Sequence, residues 1–435
     1  MPALAIILIS FGLILLLLRF KVPLYLAVLA AIIMLGLMAR QGPLEGMGIA
    51  GGQFGVTISD PDVISLLIII VLILLFSTIL RLSGRLETIT SIFDGLVKSP
   101  KLRLATFPAL IGLLPMPGGA WFSAPMVKAS AANIDEQPGQ LAAINYWFRH
   151  IWEYWWPLYP GVLLASGLSG LSLPLIVALM LPVSGFVIVV GALTMFRDLK
   201  LNGGSVQYEH PSARRSWGAF AVSMWPILAV VVGGVCLEMA REFYEAHGGV
   251  FPQPLPRTII ISALIITSVL EIILDKVNLR DLMRHLADKR ELELSAMVFS
   301  VLYYQNVLDK TGLINESVLE LQQWHIPVWL VILILPVLIG VITGVTIAAV
   351  GVGFPVALGL AASAGIPLVP LFVIGFTAAM LGVMFSPIHL CLLLSVEFFG
   401  GTYWSLYRRM IFPMAVFFIL TCILAWGYSF LPWFK

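Results

Sequence analysis

The run Asn145-Tyr-Trp-Phe-Arg149-His150-Ile-Trp-Glu153-Tyr-Trp-Trp-Pro157-Leu-Tyr-Pro160 places three ionisable side chains inside an apolar block. Each costs several kcal/mol to hold in hydrocarbon, so residues of this kind mark function by default. Arg149 and Glu153 are four apart and His150 and Glu153 three apart, so on a continuous helix all three share one face. The planar fork of Arg149 suits a substrate carboxylate, which it can grip bidentately. His150 or Glu153 is then the proton-carrying group, its affinity for the proton movable by burial and a changing partner. The competing reading is an Arg149–Glu153 pair that neutralises itself at a helix end, with the surrounding Trp and Tyr residues forming an interfacial belt. Pro157 and Pro160 predict a break just beyond them, which frees carbonyls to face a cavity.

A second stretch has related chemistry. In Phe376-Thr377-Ala-Ala-Met-Leu-Gly382-Val-Met-Phe-Ser386-Pro387-Ile-His389-Leu, Pro387 interrupts an apolar helix. Ser386 can hydrogen-bond, and His389 is either a titrating group or a hydrogen-bonded packing residue. The three cysteines, Cys236, Cys391 and Cys422, are far apart in apolar spans and show no metal spacing. They are expected to pack as small hydrophobes, and His150 with Glu153 alone is a weak metal signal, so no metal and no other cofactor is expected.

These residues need elements that can position them in an apolar medium. The run Leu110-Ile-Gly-Leu-Leu-Pro-Met-Pro-Gly-Gly-Ala-Trp-Phe-Ser-Ala-Pro-Met-Val127 is apolar enough for a membrane but is broken by Pro115, Pro117, Gly118 and Gly119. Unpaired backbone is not tolerated against lipid, so its tip must be buried in protein or line a wet cavity. A second run has the same outline, from Leu338-Ile-Gly340 through Thr343-Gly344-Val-Thr346 to Gly351-Val-Gly353-Phe-Pro355. Paired broken segments at matching positions of two halves point to a transporter's binding site. The expected substrate contacts are Pro117, Gly118, Gly119, Ser123, Asn145, Arg149, Thr343, Gly344, Thr346 and Ser386. Proton or ion coupling falls to His150, Glu153 and His389. Met116 and Trp121 are expected to shape the cavity, and Glu271 and Glu397 to be solvated or interfacial.

Composition sets the medium. Hydrophobic residues make up 60% of the 435 and charged ones 11%, with a mean hydropathy of +1.00. A soluble domain carries about 25% charged residues. The apolar blocks are about as long as a ~30 Å hydrocarbon core requires. The expected fold is therefore an all-α polytopic membrane protein with no soluble domain and no nucleic-acid partner. Spans are expected near 3–20, 22–39, 62–82, 139–166 and 172–196, and again near 217–240, 257–275, 292–308, 366–396 and 404–430. Re-entrant hairpins are expected at about 104–130 and 328–362. Residues 1–200 then form a first inverted repeat, 201–216 a cytoplasmic linker and 217–435 a second repeat, each with five crossings and one hairpin. Under that layout most of the 25 basic residues fall on one side, among them Arg81, Arg85, Arg103, Lys128, Arg408 and Arg409. The positive-inside rule makes that side cytoplasmic and both termini external, in a multi-pass cell (inner) membrane protein. The first hairpin then enters from the cytoplasm and the second from outside. Met1 to Leu18 has its basic residues, Arg19 and Lys21, behind the apolar run, so a retained first helix is expected. Residues 84–103 and 276–291 have helical apolar spacing with interleaved charge and read as interfacial connectors in contact with lipid.

The paired hairpins and interrupted spans, with Leu114-Pro-Met-Pro-Gly-Gly-Ala120 and Phe385-Ser-Pro-Ile-His389, resemble the ion transporter superfamily, which includes gluconate permeases and dicarboxylate carriers. More narrowly, these motifs look like an uncharacterised integral-membrane family within it, related to gluconate permeases. The resemblance implies a homodimer with a scaffold domain and a mobile transport domain, working by an elevator movement. The function expected is secondary active transport of a small organic anion, a carboxylate or sugar acid such as gluconate, coupled to protons or sodium. The alternative is a cation/proton antiporter on the same scaffold. An enzyme is not expected, because no nucleophile motif, nucleotide fingerprint or metal set appears.

Overall fold

The computed structural model describes residues 2–97, 99–116, 118–131, 134–135, 138–197, 199–201, 216–251, 257–286 and 289–431. Pro117 and nearly all of the expected linker at 201–216 lie outside the described residues. The fold is helical, with one small antiparallel bridge that pairs Ile134 with Leu201 and Asp135 with Lys200. Among the described residues four helices are long and apolar enough to cross a membrane: Pro61–Leu82, Leu173–Met195, Thr346–Ser363 and Tyr403–Tyr428. A fifth candidate, Trp217–Ser223 with Trp225–Ala246, is bent by 60°. Shorter apolar helices, among them Ala3–Arg19, Leu24–Leu37 and Thr258–Leu274, complete the bundle. Leu193, Ile266, Phe412 and Trp426 point outward from it. Large apolar side chains in such numbers on the outside suit lipid rather than water, and together these features are those of a membrane-associated protein.

The order of elements occurs twice. Pro61–Leu82 leads to Arg85–Leu96, then to the pair Pro100–Gly112 and Gly119–Ser130, then to Pro138–Arg149, Pro160–Ser169 and Leu173–Met195. Lys289–Lys310 likewise leads to Leu313–Gln323, then to Val328–Thr343 and Thr346–Ser363, then to Leu368–Met384, Leu390–Phe399 and Tyr403–Tyr428. Helix Pro43–Ser59 is an addition to the sequence reading, which placed no span there. Its glycines dilute the apolar signal, yet Gly46 lets it lie directly against the carbonyl of Gly36.

Each Leu-Ile-Gly signature has a packing reason. A Cβ on Gly112 would sit 2.4 Å from the carbonyl oxygen of Arg149, and one on Gly340 would sit 2.7 Å from the amide nitrogen of Val383. The glycines let the ingoing arm of each hairpin touch the backbone near the end of the helix that follows it. Each return arm leans on the other half: Gly118 faces Leu390 and Leu394, and Gly161 faces Thr346. The two hairpins are thus stitched across the halves as well as within them.

Glu271 corrects the sequence reading, which left it solvated or interfacial. It is fully buried and takes the guanidinium of Arg85 at 2.8 and 3.0 Å, with the Ser83 hydroxyl at 3.2 Å. Arg85 also reaches Asp275, and Arg257 pairs with Asp62 at 2.9 Å near the other end of the same helix. Helix Thr258–Leu274 is thus pinned at its start to Pro61–Leu82 and near its end to the turn that leads into Arg85–Leu96. Removing one partner of a buried pair strands the other charge, at about 3–5 kcal/mol. Glu271→Ala is expected to lower the melting temperature of the detergent-solubilised protein sharply, and Glu271→Gln less so; an unchanged melting curve for Glu271→Ala would remove the pair from the fold's supports.

Candidate functional site

The first helix break opens earlier than the prolines alone suggest. Pro138–Arg149 ends at Arg149, residues 150–159 run as successive turns, and Pro160 begins the next helix. Pro157 cannot donate to Glu153, and each proline biases its predecessor away from helix, so the unwinding spreads upstream. The shared helical face expected for Arg149, His150 and Glu153 is therefore corrected, because only Arg149 belongs to a helix. Consecutive residues now diverge, Arg149 toward the first hairpin and His150 toward the second half.

The tryptophans and tyrosine here are not a lipid-facing belt. Trp152 Nε1 donates to Ala109 O at 2.7 Å, Trp156 Nε1 to Leu113 O at 3.0 Å and Tyr159 Oη to Gly112 O at 2.6 Å. A helix ends with carbonyls that lack intrahelical partners, and these side chains satisfy those of the hairpin's ingoing arm. The aromatic-rich spacing thus builds a cap for the neighbouring helix.

Arg149 is almost fully buried, at 1% exposure, and its partners are neutral. Nη1 donates to Tyr159 Oη at 2.9 Å and Nη2 to Met116 O at 3.1 Å, while Nε has no partner. Among the described residues no carboxylate lies within ion-pair distance of it, so the self-neutralising Arg149–Glu153 pair is not formed. Gly119 abuts the guanidinium, since a Cβ there would lie 2.5 Å from Nη2. Gly118 takes a left-handed conformation, φ 71°, to turn the chain into the return arm. A cleft of about 620 Å³ runs from Arg81, Asp94 and Arg103 along the hairpin to Met116, whose carbonyl binds Arg149.

The second break mirrors this arrangement. Leu368–Met384 ends, Pro387 sits in the turn, and His389 leads into Leu390–Phe399. His389 Nδ1 lies 2.8 Å from the carbonyl of Gly344, the left-handed residue (φ 65°) that ends the ingoing arm of the second hairpin. His389 Nε2 lies 3.1 Å from His150 Nε2, and His150 Nδ1 lies 2.6 Å from Tyr146 O. Glu153 Oε1 is 3.7 Å from His150 Nε2, and its Oε2 accepts from Thr346 Oγ1 at 3.2 Å. Cys391 Sγ closes the group, with one ligand atom each from His150, His389 and Cys391 within 4.8 Å of one another. Ser386 Oγ is buried without a partner and would lie 2.9 Å from a Cβ on Gly344.

The fold thus gathers Gly119 and Arg149 at one tip and His150, Glu153, Gly344, Thr346, Ser386 and His389 at the other. Three expected contacts are engaged elsewhere. Ser123 donates to Asn145 Oδ1 at 2.6 Å, and Asn145 Nδ2 donates to Ala120 O and to Ser395 Oγ, both at 3.0 Å. This closed network locks the first hairpin's return arm to both broken helices. Thr343 donates back into its own helix, to Ile339 O at 2.7 Å. Pro117 lies outside the described residues. Sequence reasoning missed Tyr159, Ser395 and Cys391; the last is two residues from His389 but far along the chain from His150, so no local spacing signals it.

The architecture and the site define a class: a helical, membrane-associated protein whose two interrupted helices and two hairpin tips enclose a buried polar cluster. The family described as a protein of unknown function (DUF401) matches residues 3–427, and the chain belongs to that family. No curated protein matches it.

Asn145→Ala would leave the Ser395 hydroxyl without its partner and reduce Ser123 to its longer bond to Ala120 O, at 3.3 Å. Each buried group left unpaired costs about 1–3 kcal/mol. The variant is expected to melt well below wild type, by circular dichroism in detergent, whereas Thr343→Val should melt near it.

Proposed function

We propose that this protein is a secondary active transporter of a small organic anion, a carboxylate or sugar acid such as gluconate, coupled to protons or sodium. The observation that carries the reading is the buried guanidinium of Arg149, held by neutral acceptors with Nε unpartnered. A buried charge without a counter-charge costs several kcal/mol. A carboxylate entering between Arg149 and the glycine backbone at Gly118–Gly119 removes that cost and meets a bidentate donor. The amides at the start of Gly119–Ser130 add a positive helix end to the same place.

The repeated element order supports two inverted repeats, with the first hairpin entering from the cytoplasm and the second from outside. Arg81 and Arg103 line the cleft, which by the positive-inside rule supports a cytoplasmic mouth. In this reading the cleft is the inward route to Arg149, both termini are external in the cell membrane, and a homodimer moves its transport domains as elevators. The resemblance to gluconate permeases and dicarboxylate carriers agrees with that scheme. His150, Glu153 and His389 hold the coupling cation, and Thr346, Gly344 and Ser386 line its side of the site. One observation favours the second reading, a cation/proton antiporter: two histidines and a carboxylate meet directly, at 3.1 and 3.7 Å.

The test is uptake into proteoliposomes under an imposed proton or sodium gradient, paired with a thermal-shift screen of carboxylates and sugar acids. A ligand at a hundred times its Kd stabilises by about 2.7 kcal/mol, and that shift should vanish in Arg149→Gln. Arg149→Lys keeps the charge but loses the fork, so its affinity should fall at least about tenfold, a difference of 1.4 kcal/mol. Uptake and affinity unchanged in Arg149→Gln would overturn the anion site, and cation-driven proton release without anion uptake would favour the antiporter.

A further inference from the structure

The hydrogen-bond directions around the two histidines fix where their lone pairs point. A backbone carbonyl can only accept, so His150 Nδ1 carries its hydrogen toward Tyr146 O and His389 Nδ1 carries its hydrogen toward Gly344 O. In the neutral rings both Nε2 atoms are then bare acceptors, and they face each other at 3.1 Å in a buried site. Two lone pairs at that distance repel unless a cation lies between them. A proton shared between the rings, or the Cys391 thiol hydrogen-bonding to His150, offsets part of that repulsion; neither uses both imidazoles and the sulfur together, whose ligand atoms lie within 4.8 Å of one another.

We propose that His150 Nε2, His389 Nε2 and Cys391 Sγ form a binding site for one borderline-soft divalent metal ion of the zinc type, with Glu153, 3.7 Å from His150 Nε2, beside the fourth position. Two nitrogens on a tetrahedral ion at 2.0–2.1 Å are about 3.4 Å apart, close to the separation present before any adjustment. Imidazole and thiolate donors select zinc, cobalt or copper and disfavour sodium, magnesium and calcium. The outer shell is also of the metal-site kind: each histidine donates its other N–H to a backbone carbonyl, and Glu153 accepts from Thr346. On binding, the Cys391 thiol loses its proton to solvent as the metal–sulfur bond forms. The ligands come from both breaks, so the ion would clamp the first broken helix to the second and hold the second hairpin's tip through Gly344. The site gives to a divalent ion the residues assigned above to the coupling cation, and it is independent only of the anion seat at Arg149.

Cobalt(II) titrated into chelator-treated, detergent-solubilised protein tests it, with absorbance reporting both ligand field and thiolate-to-cobalt charge transfer. The expected result is one cobalt per chain with a charge-transfer band, displaced by zinc. C391S should lose that band and bind at least tenfold more weakly, and the double variant H150Q/H389Q should lose binding altogether. No stoichiometric binding by wild type, a charge-transfer band that survives in C391S, or unchanged binding in the double variant would each overturn the site. Failure here leaves the arginine reading standing, because the anion-induced thermal shift of the same preparation is read separately.

Discussion

In an apolar layer, every backbone group released by a helix break must find a partner within the protein. This chain breaks four times near one place, at two hairpin tips and in two helices, and the surrounding structure answers each release. Indole and phenol groups from Trp152, Trp156 and Tyr159 take the carbonyls at the end of the first hairpin's ingoing arm. His389 takes the carbonyl of Gly344 at the second tip, and His150 takes that of Tyr146. The polar centre is thus a consequence of interrupted backbone, and its side chains serve both architecture and chemistry.

The first break also separates two charges that a continuous helix would have put together. Arg149 closes its helix and turns to the first hairpin, while His150 and Glu153, already in the turns, face the second hairpin and the second broken helix. The Arg149 guanidinium and the His150–Glu153–His389 cluster therefore lie side by side, each built on a different hairpin. Cross-packing couples them. Ser395 of the second broken helix completes the Asn145–Ser123 lock on the first hairpin, and Thr346 of the second hairpin contacts both Gly161 and Glu153.

Helical character, apolar spans, the paired breaks and the ionisable residues around Arg149 were all legible in the sequence, because each depends on local properties. Hydropathy follows from side-chain type, and proline and glycine act on their immediate neighbours. The recurring Leu-Ile-Gly was legible as a pattern, but its cause was not: Gly112 and Gly340 are small because another helix's backbone arrives there. The expected Arg149–Glu153 face failed because Pro157 and Pro160 unwound the helix upstream as well as at their own positions. Glu271 looked solvated because its partner, Arg85, lies in the other half of the chain.

The sequence by itself determined the medium, the helical class and the places where helices must stop. Only the tertiary structure decided which polar atoms meet, since those partners lie about 190 to 250 residues apart and no local spacing encodes them. His150 finds His389 and Cys391, Asn145 finds Ser395, and Glu153 finds Thr346. The physical reason is that a buried polar atom is satisfied by whatever the packing of distant helices brings within about 3 Å, and that packing is a property of the folded chain as a whole.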